Sequence, residues 1–395
     1  MEAENGKKRG GQILLIVLFL LVLFVPAALG AFTVITGKEV DVELKGYTAQ
    51  NKAPSLSVSS WLDGTFQQEL NAWFPEKIRP RGLMVKTYNT ANLLLFHKKD
   101  GMVVGKDYDL FEMKYVTAEL GLLPEDDFSD PANVERLEAF VAKLETLQQK
   151  LKAVNKTLIY YVGPSKASAH RDSIPAKYDA VSTHPARAVD VMRSLLEKSS
   201  IPYLICSDLE ANLPGPSFYT TGIHWSRIYE QTATRELVRL MAESSGRPYR
   251  NVYLGEMLES TTPYDRDTDL LDLVNVFYRP SLTYYEYEAE MEEPEDDWEP
   301  LRILIQGDSF ALGLRNDLIA VDPIAEVYYI TRNESVVDRE NEFLVLWYDW
   351  SKMDWNRYLP NVDVIAIEAA EPLIGETSFG FVDALIAALD EGGDW

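Results

Sequence analysis

The sequence predicts a doubly wound α/β fold built on a mostly parallel sheet. Short apolar runs alternate with longer amphipathic stretches through most of the chain. Its 395 residues, 46% apolar and 11% aromatic, suffice for an enzyme-sized core. No repeat at a solenoid period competes with that reading.

The first element is a membrane span. Lys7, Lys8 and Arg9 precede an uncharged stretch over residues 13–35, long enough to cross the bilayer hydrocarbon. Basic residues ahead of the span place the N-terminus in the cytoplasm and everything after Lys38 outside. Residues 1–12 therefore read as a cytoplasmic N-terminus, 13–35 as a transmembrane signal anchor, 36–60 as a polar stalk and 61–395 as the folded body. The competing reading is a cleaved signal peptide, for which Ala28, Gly30 and Ala31 offer small residues. The apolar run continues through Phe32, Val34 and Ile35, so length favours the retained anchor.

Beyond the stalk, Trp61, Leu62, Phe66, Leu70, Trp73 and Phe74 recur at helical spacing. Asp130 and Pro131 form an N-cap and first helical position, and the amphipathic run they open ends near Lys152. That run feeds a strand over 157–162, closed by Gly163 and Pro164. A helix-like segment over 186–198 precedes an apolar stretch at 201–206, and a further helix covers 226–245. Strands are expected at 301–306, 327–330 and 362–367, with a last helix over 379–389. The segment 284–300, acidic residues among tyrosines, reads as a solvated loop or insertion.

Composition narrows the chemistry. The formal net charge is -24, from 62 acidic and 38 basic residues, which argues against nucleic acid and anionic lipid surfaces as partners. A neutral glycan suits that charge better than a polyanion. Cys206 is the sole cysteine, so no intrachain disulfide forms, and its apolar setting marks a buried thiol. His97, His170, His184 and His224 lack a second ligand at zinc-binding spacing, and no cofactor-binding motif is present.

The sharpest local signal is Gly307-Asp308-Ser309-Phe310 at the end of an apolar strand. In open α/β sheets, sites gather beyond the carboxyl ends of strands, where Ser309 would sit as a nucleophile at a helix start. The alternative is that Asp308 and Ser309 merely cap that helix. A serine nucleophile needs a base, and His224 lies in a loop with Gly222 and Trp225 just before a helix. His97, His170 and His184 have plainer surroundings. Lys166 reads as a surface or packing residue or as a substrate contact, and Glu368 and Glu371 as strand and pocket wall.

Taken in order, these segments resemble the alginate O-acetyltransferase-like branch of the SGNH hydrolase superfamily. The resemblance runs from Trp61 to Leu389. It includes the Trp61, Gly64, Phe66, Trp73, Pro75 opening with Arg81, and Gly105-Lys106-Asp107-Tyr108-Asp109-Leu110-Phe111. It continues through Val162-Gly163-Pro164-Ser165-Lys166, Gly222-Ile223-His224-Trp225, Asp267-Thr268-Asp269-Leu270 and the Gly307 to Phe310 motif. The family's histidine motif is Asp-x-His-Trp, and here its aspartate position is Gly222. Asp208, Asp267 and Asp308 are the alternative acids, or the pair works as a Ser–His dyad.

The resemblance implies a three-layer SGNH-like α/β/α body, with Ser309, His224 and Asp308 as the catalytic set. It implies O-acetylation of an extracellular or cell-wall polysaccharide through a Ser309 acyl-enzyme with His224 as base. The acyl group would come from a membrane-bound O-acyltransferase partner, and the protein would be single-pass with its catalytic body outside the cell. Two other functions fit the same residues: a carbohydrate esterase removing such groups, and a non-catalytic scaffold or glycan-binding member of an acetylation complex.

Overall fold

The computed structural model describes residues 2–38, 40–46, 51–77, 80–264, 266–293 and 298–393. Residues 39 and 47–50 of the expected stalk, and 294–297 of the acidic segment, lie outside them. The chain divides into two compact units, Met1–Lys99 with Leu271–Pro280, and Asp100–Leu270 with Ser281–Trp395.

In the first unit, residues Glu2–Thr36 form one helix. Its Gly11–Thr33 portion has a mean hydropathy of 3.1 and is long and apolar enough to cross a membrane. The expected helix over 61–74 is two helices, Val58–Leu62 and Thr65–Lys77. Gly64 parts them with φ of +86°, a left-handed backbone that a side chain would strain.

The second unit holds a seven-stranded sheet whose strands are, in chain order, β1 (Thr157–Gly163), β2 (Tyr203–Ile205), β3 (Arg302–Gly307), β4 (Glu326–Thr331), β5 (Ser335–Val337), β6 (Phe343–Val345) and β7 (Val364–Ala370). Their spatial order is β6-β5-β4-β3-β7-β1-β2. The five strands from β4 to β2 pair in parallel, and β5 and β6 return antiparallel at one edge. The last strand in sequence, β7, thus inserts between β3 and β1. Every residue of β7 is buried, as a strand covered on both faces requires.

Helices Pro131–Ala153, Ala188–Leu196 and Phe381–Glu391 share the core on one face. Helices Arg227–Ser245 and Ser309–Val321 pack together on the other. The result is the three-layer α/β/α body with a mostly parallel sheet that the sequence predicts. Asp130 caps its helix as expected, accepting from the Ala132 N–H at 2.9 Å.

The acidic segment differs from the expected loop. Tyr284–Met291 is a strand paired antiparallel with Val252–Ser260, a strand the sequence reading missed. The cause is alternation: glutamates 286, 288 and 290 share one side while Tyr285 and Tyr287 share the other. The Gln231 side chain binds both the N–H and the carbonyl of Tyr287, at 2.7 and 2.9 Å, and ties the ribbon to its helix. Charge counting alone hid this period of two.

Ile365 lies at the centre of β7 with no exposed surface. Ile365→Ala should lower unfolding free energy by about 2–5 kcal/mol, read from denaturant titration, because the packed strand cannot collapse into the space.

Candidate active site

The site lies wholly in the second unit, at the carboxyl end of the parallel strands. Strand β3 ends at Gly307, Asp308 caps the next helix, and Ser309 is that helix's first residue. Asp308 and Phe310 on either side are buried while Ser309 is exposed, so the turn lifts one hydroxyl out of the packed edge. A helix's first residue has no intrahelical carbonyl for its N–H, which leaves a donor facing the same space as the hydroxyl.

Two carboxyls hold this turn from below. Asp308 accepts from the Phe310 N–H and from the Ala370 N–H at the end of β7, both at 2.9 Å. Glu368, fully buried on β7, accepts from the Asp308 N–H at 2.8 Å. Burial, and then the neighbouring Asp308 charge, pushes the Glu368 carboxyl well above the ordinary range. A Cβ on Gly307 would approach Glu368 Oε2 to 2.5 Å, and one on Gly163 would approach Oε1 to 2.7 Å. Only glycine leaves room for that acid beneath the turn.

His224 meets Ser309 from the loop before the helix Arg227–Ser245. Its Nε2 is 2.7 Å from Ser309 Oγ, and its Nδ1 is 2.5 Å from Asp269 Oδ2. The ring packs on Phe310 with centroids 4.9 Å apart. The other oxygen of Asp269 accepts the N–H groups of Ile223 and Leu270, at 2.9 and 2.7 Å. The carboxylate is therefore fixed by the same loop whose histidine it faces. Glu112 stands nearby, its pKa raised first by burial and next by the Asp269 charge.

Beneath the histidine loop lies Lys166. It has no exposed surface, so the surface reading of this residue does not hold. Its ammonium donates to the carbonyls of Leu110, Tyr219 and Gly222 at 2.6–2.8 Å and pairs with Asp109 at 2.9 Å. Burial opposes the Asp109 charge, but His170 at 2.7 Å and Lys166 outweigh it and hold that carboxyl below its ordinary pKa. One buried cation thus joins the end of β1 to the loop that presents His224.

Of the residues singled out from sequence, Ser309 and His224 come together and Asp308 does not reach the imidazole. Asp208 binds Arg193 through two bonds of 2.7 Å. Asp267 accepts from the Tyr264 N–H at 2.9 Å, and burial lifts its pKa to about 7. The acid at the imidazole is Asp269, absent from the candidate acids although the Asp267 to Leu270 segment was recognised. Nothing in the spacing distinguishes it from Asp267 two residues earlier. Cys206 is buried, and burial pushes its thiol well above the ordinary range.

Fold and geometry together define a doubly wound α/β protein with a Ser–His–Asp hydrogen-bonded chain at its strand ends. No family model matches this sequence, and no curated protein matches it. Solved structures similar to it include the O-acetyltransferase domain of Pseudomonas putida AlgJ, at 16% identity and a TM-score of 0.42, covering 73% of this chain and 99% of that one. Pseudomonas aeruginosa AlgX is similar at 13% identity and a TM-score of 0.42, covering 72% of this chain and 67% of that one. Bacillus cereus PatB1 follows at 12% identity and 0.38, covering 63% and 93%.

Lys166→Met should destabilise the protein by roughly 3–5 kcal/mol, because Asp109 is left buried without its cation. Adding Asp109→Leu should restore part of that loss, and thermal unfolding of the single and double variants measures both. Gly222→Asp, which recreates the Asp-x-His-Trp pattern that this segment resembles, should also destabilise. Its Cβ would fall 2.8 Å from the Arg266 carbonyl and 2.9 Å from that of Asp267, and backbone cannot yield as a side chain can. About 1–3 kcal/mol in the same assay is the expected cost.

Proposed function

We propose that this protein is a serine O-acyltransferase that acetylates hydroxyl groups of an extracellular or cell-wall polysaccharide. The observation that carries the reading is the chain from Asp269 through His224 to an exposed Ser309. In the first half-reaction, Ser309 Oγ attacks the donor's acyl carbon while His224 Nε2 takes its proton. The Ser309 N–H and the helix start face the developing oxyanion. Collapse expels the donor's alcohol, which leaves with the proton from His224, and the acyl group remains as a serine ester. In the second half, His224 takes the proton of a sugar hydroxyl as that oxygen attacks the ester carbonyl. The intermediate collapses to the acetylated sugar, and Ser309 regains its proton. Asp269 keeps the imidazole in the tautomer and orientation both halves need.

The exposure of Ser309 also admits water as acceptor, which favours an esterase as the second reading. A carboxylate at His224 Nδ1 weakens the scaffold reading, whose motive was the glycine at position 222. In this proposal the helix Glu2–Thr36 is a retained signal anchor with its N-terminus in the cytoplasm, and a membrane-bound O-acyltransferase supplies the acyl group outside. Tethering raises the local concentration of that donor around Ser309.

Ser309→Ala should abolish acyl capture, seen as loss of the mass increase when intact protein meets a small activated acetyl ester. A serine ester formed equally in the variant would sink the nucleophile assignment. Asp269→Asn should slow ester turnover by about 10³- to 10⁴-fold in steady-state assays, because the imidazole loses its orienting acceptor. A version starting at Lys38 should turn over the soluble ester normally yet fail to restore polymer acetylation in cells. Full restoration at native expression would remove the need for the anchor.

A further inference from the structure

A second cavity opens on the same edge of the sheet, one strand away from Ser309. It has a volume of about 150 Å³ and lies where Glu371 follows β7 and Ser165 follows β1. Helix Met113–Leu120 runs between it and the reactive centre. Tyr115 on that helix faces Phe310 with rings 6.5 Å apart, while Lys114, Ala118 and Glu119 line the cavity. Ser309 follows β3 and Glu371 follows β7, the strand beside it, so an extended glycan lying along this edge of the sheet spans both places.

Three features define what the cavity takes. Its size falls below the roughly 300–1,000 Å³ of pockets that engulf larger ligands, and suits one ring. Its lining mixes donors and acceptors. Arg136 lies over the Phe128 ring at 5.9 Å and has no hydrogen-bond acceptor among the described residues, so its guanidinium donors are free for a ligand. Glu371 is buried, with the hydroxyls of Ser207 and Ser168 beside it. Finally, the lining carries both signs of charge with carboxyls in excess: Lys114, Arg136 and Arg187 face five carboxyls, and burial raises the pKa of Asp126 and pushes that of Glu371 up to about 7. A strong anion gains little there. Hydroxyl groups, which donate and accept on every carbon of a ring, satisfy such a lining.

We propose that this cavity is a subsite for one neutral hexopyranose unit of the acceptor glycan, held by Arg136 and Glu371 against the Phe128 edge. The proposal deepens the O-acyltransferase reading and rests on it for the role of that glycan as acceptor. The subsite grips a ring near the one being acylated and so sets which hydroxyl meets Ser309.

The test uses the full chain in detergent carrying Ser309→Ala, so that binding is read without turnover. Cellopentaose, mannopentaose and chitopentaose serve as neutral probes, and an oligogalacturonate of equal length as the anionic one, all by titration calorimetry. At least one neutral probe should bind, more tightly than the uronate, and Arg136→Ala should weaken it tenfold or more. Gly375→Leu is the independent variant: a Cβ there already meets the Arg136 guanidinium at 3.1 Å, so a larger side chain fills the cavity and should weaken binding as much. The subsite is overturned if no neutral probe binds, if the uronate binds tighter, or if both substitutions cost less than tenfold. Ester turnover by the Ser309 protein is measured in parallel. Turnover without neutral-glycan binding overturns the subsite and spares the transferase reading. Arg136-dependent binding without any turnover keeps the subsite and overturns that reading.

Discussion

A lysine ammonium with no exposed surface must have its charge and its three protons satisfied inside the protein, and Lys166 sets the geometry around it for that reason. Its partners are three backbone carbonyls and the Asp109 carboxylate. Two of those carbonyls belong to Tyr219 and Gly222, in the loop that carries His224, and the third to Leu110, next to Asp109 itself. Segments far apart in sequence therefore converge on one charge. Leu110 N–H also donates to the Thr220 carbonyl at 2.9 Å, which fastens the same two strips of backbone a second time. An apolar residue at 166 would take the ammonium donor from those carbonyls and leave Asp109 buried without its cation.

The serine turn follows a parallel logic with opposite charge. Asp308 and Glu368 lie side by side in a buried place, and burial together with the neighbouring Asp308 charge raises the Glu368 pKa well above the ordinary range. Together they take up the N–H groups of Asp308, Phe310 and Ala370. The Tyr329 hydroxyl donates to the Asp308 carbonyl at 2.6 Å, so β4 joins β3 and β7 in bracing the turn. A nucleophile placed on such a turn has little freedom to drift from its base, which is the condition for efficient proton transfer. The Asp308 of the sequence motif thus serves the turn that presents Ser309, while the acid facing the imidazole comes from a different loop.

Charge is distributed to match. The protein as a whole carries -24, yet the cations near the site are committed to particular partners: Lys166 to carbonyls and Asp109, and Arg266 to Glu230 and the Ser309 carbonyl. Arg227 likewise pairs with Glu230 and Asp317. These pairs are partly or wholly buried, where they set positions more than they add stability.

The sequence by itself determined the α/β class and the order of its main strands and helices, and it singled out Ser309 and His224. Those features depend on local periodicity, on caps such as Asp130, and on a motif at a strand end, all written in neighbouring residues. It also put glycine at 222, where the motif it resembles carries aspartate. The tertiary structure alone decided which acid faces the imidazole, since Asp267 and Asp269 look alike in sequence and only Asp269 reaches His224. It alone decided the fates of Lys166 and Glu368, because burial depends on what other segments bring to the same place. The ribbon of Tyr284–Met291 belongs with them: its alternation was written in the sequence, but its charge read as solvation until a partner strand and Gln231 gave the tyrosine side something to face. Local order is legible where a residue's environment is its neighbours in sequence. Chemistry set by contacts 45 or 85 residues distant, as for Asp269 and Ser309 around His224, emerges only once the chain has folded.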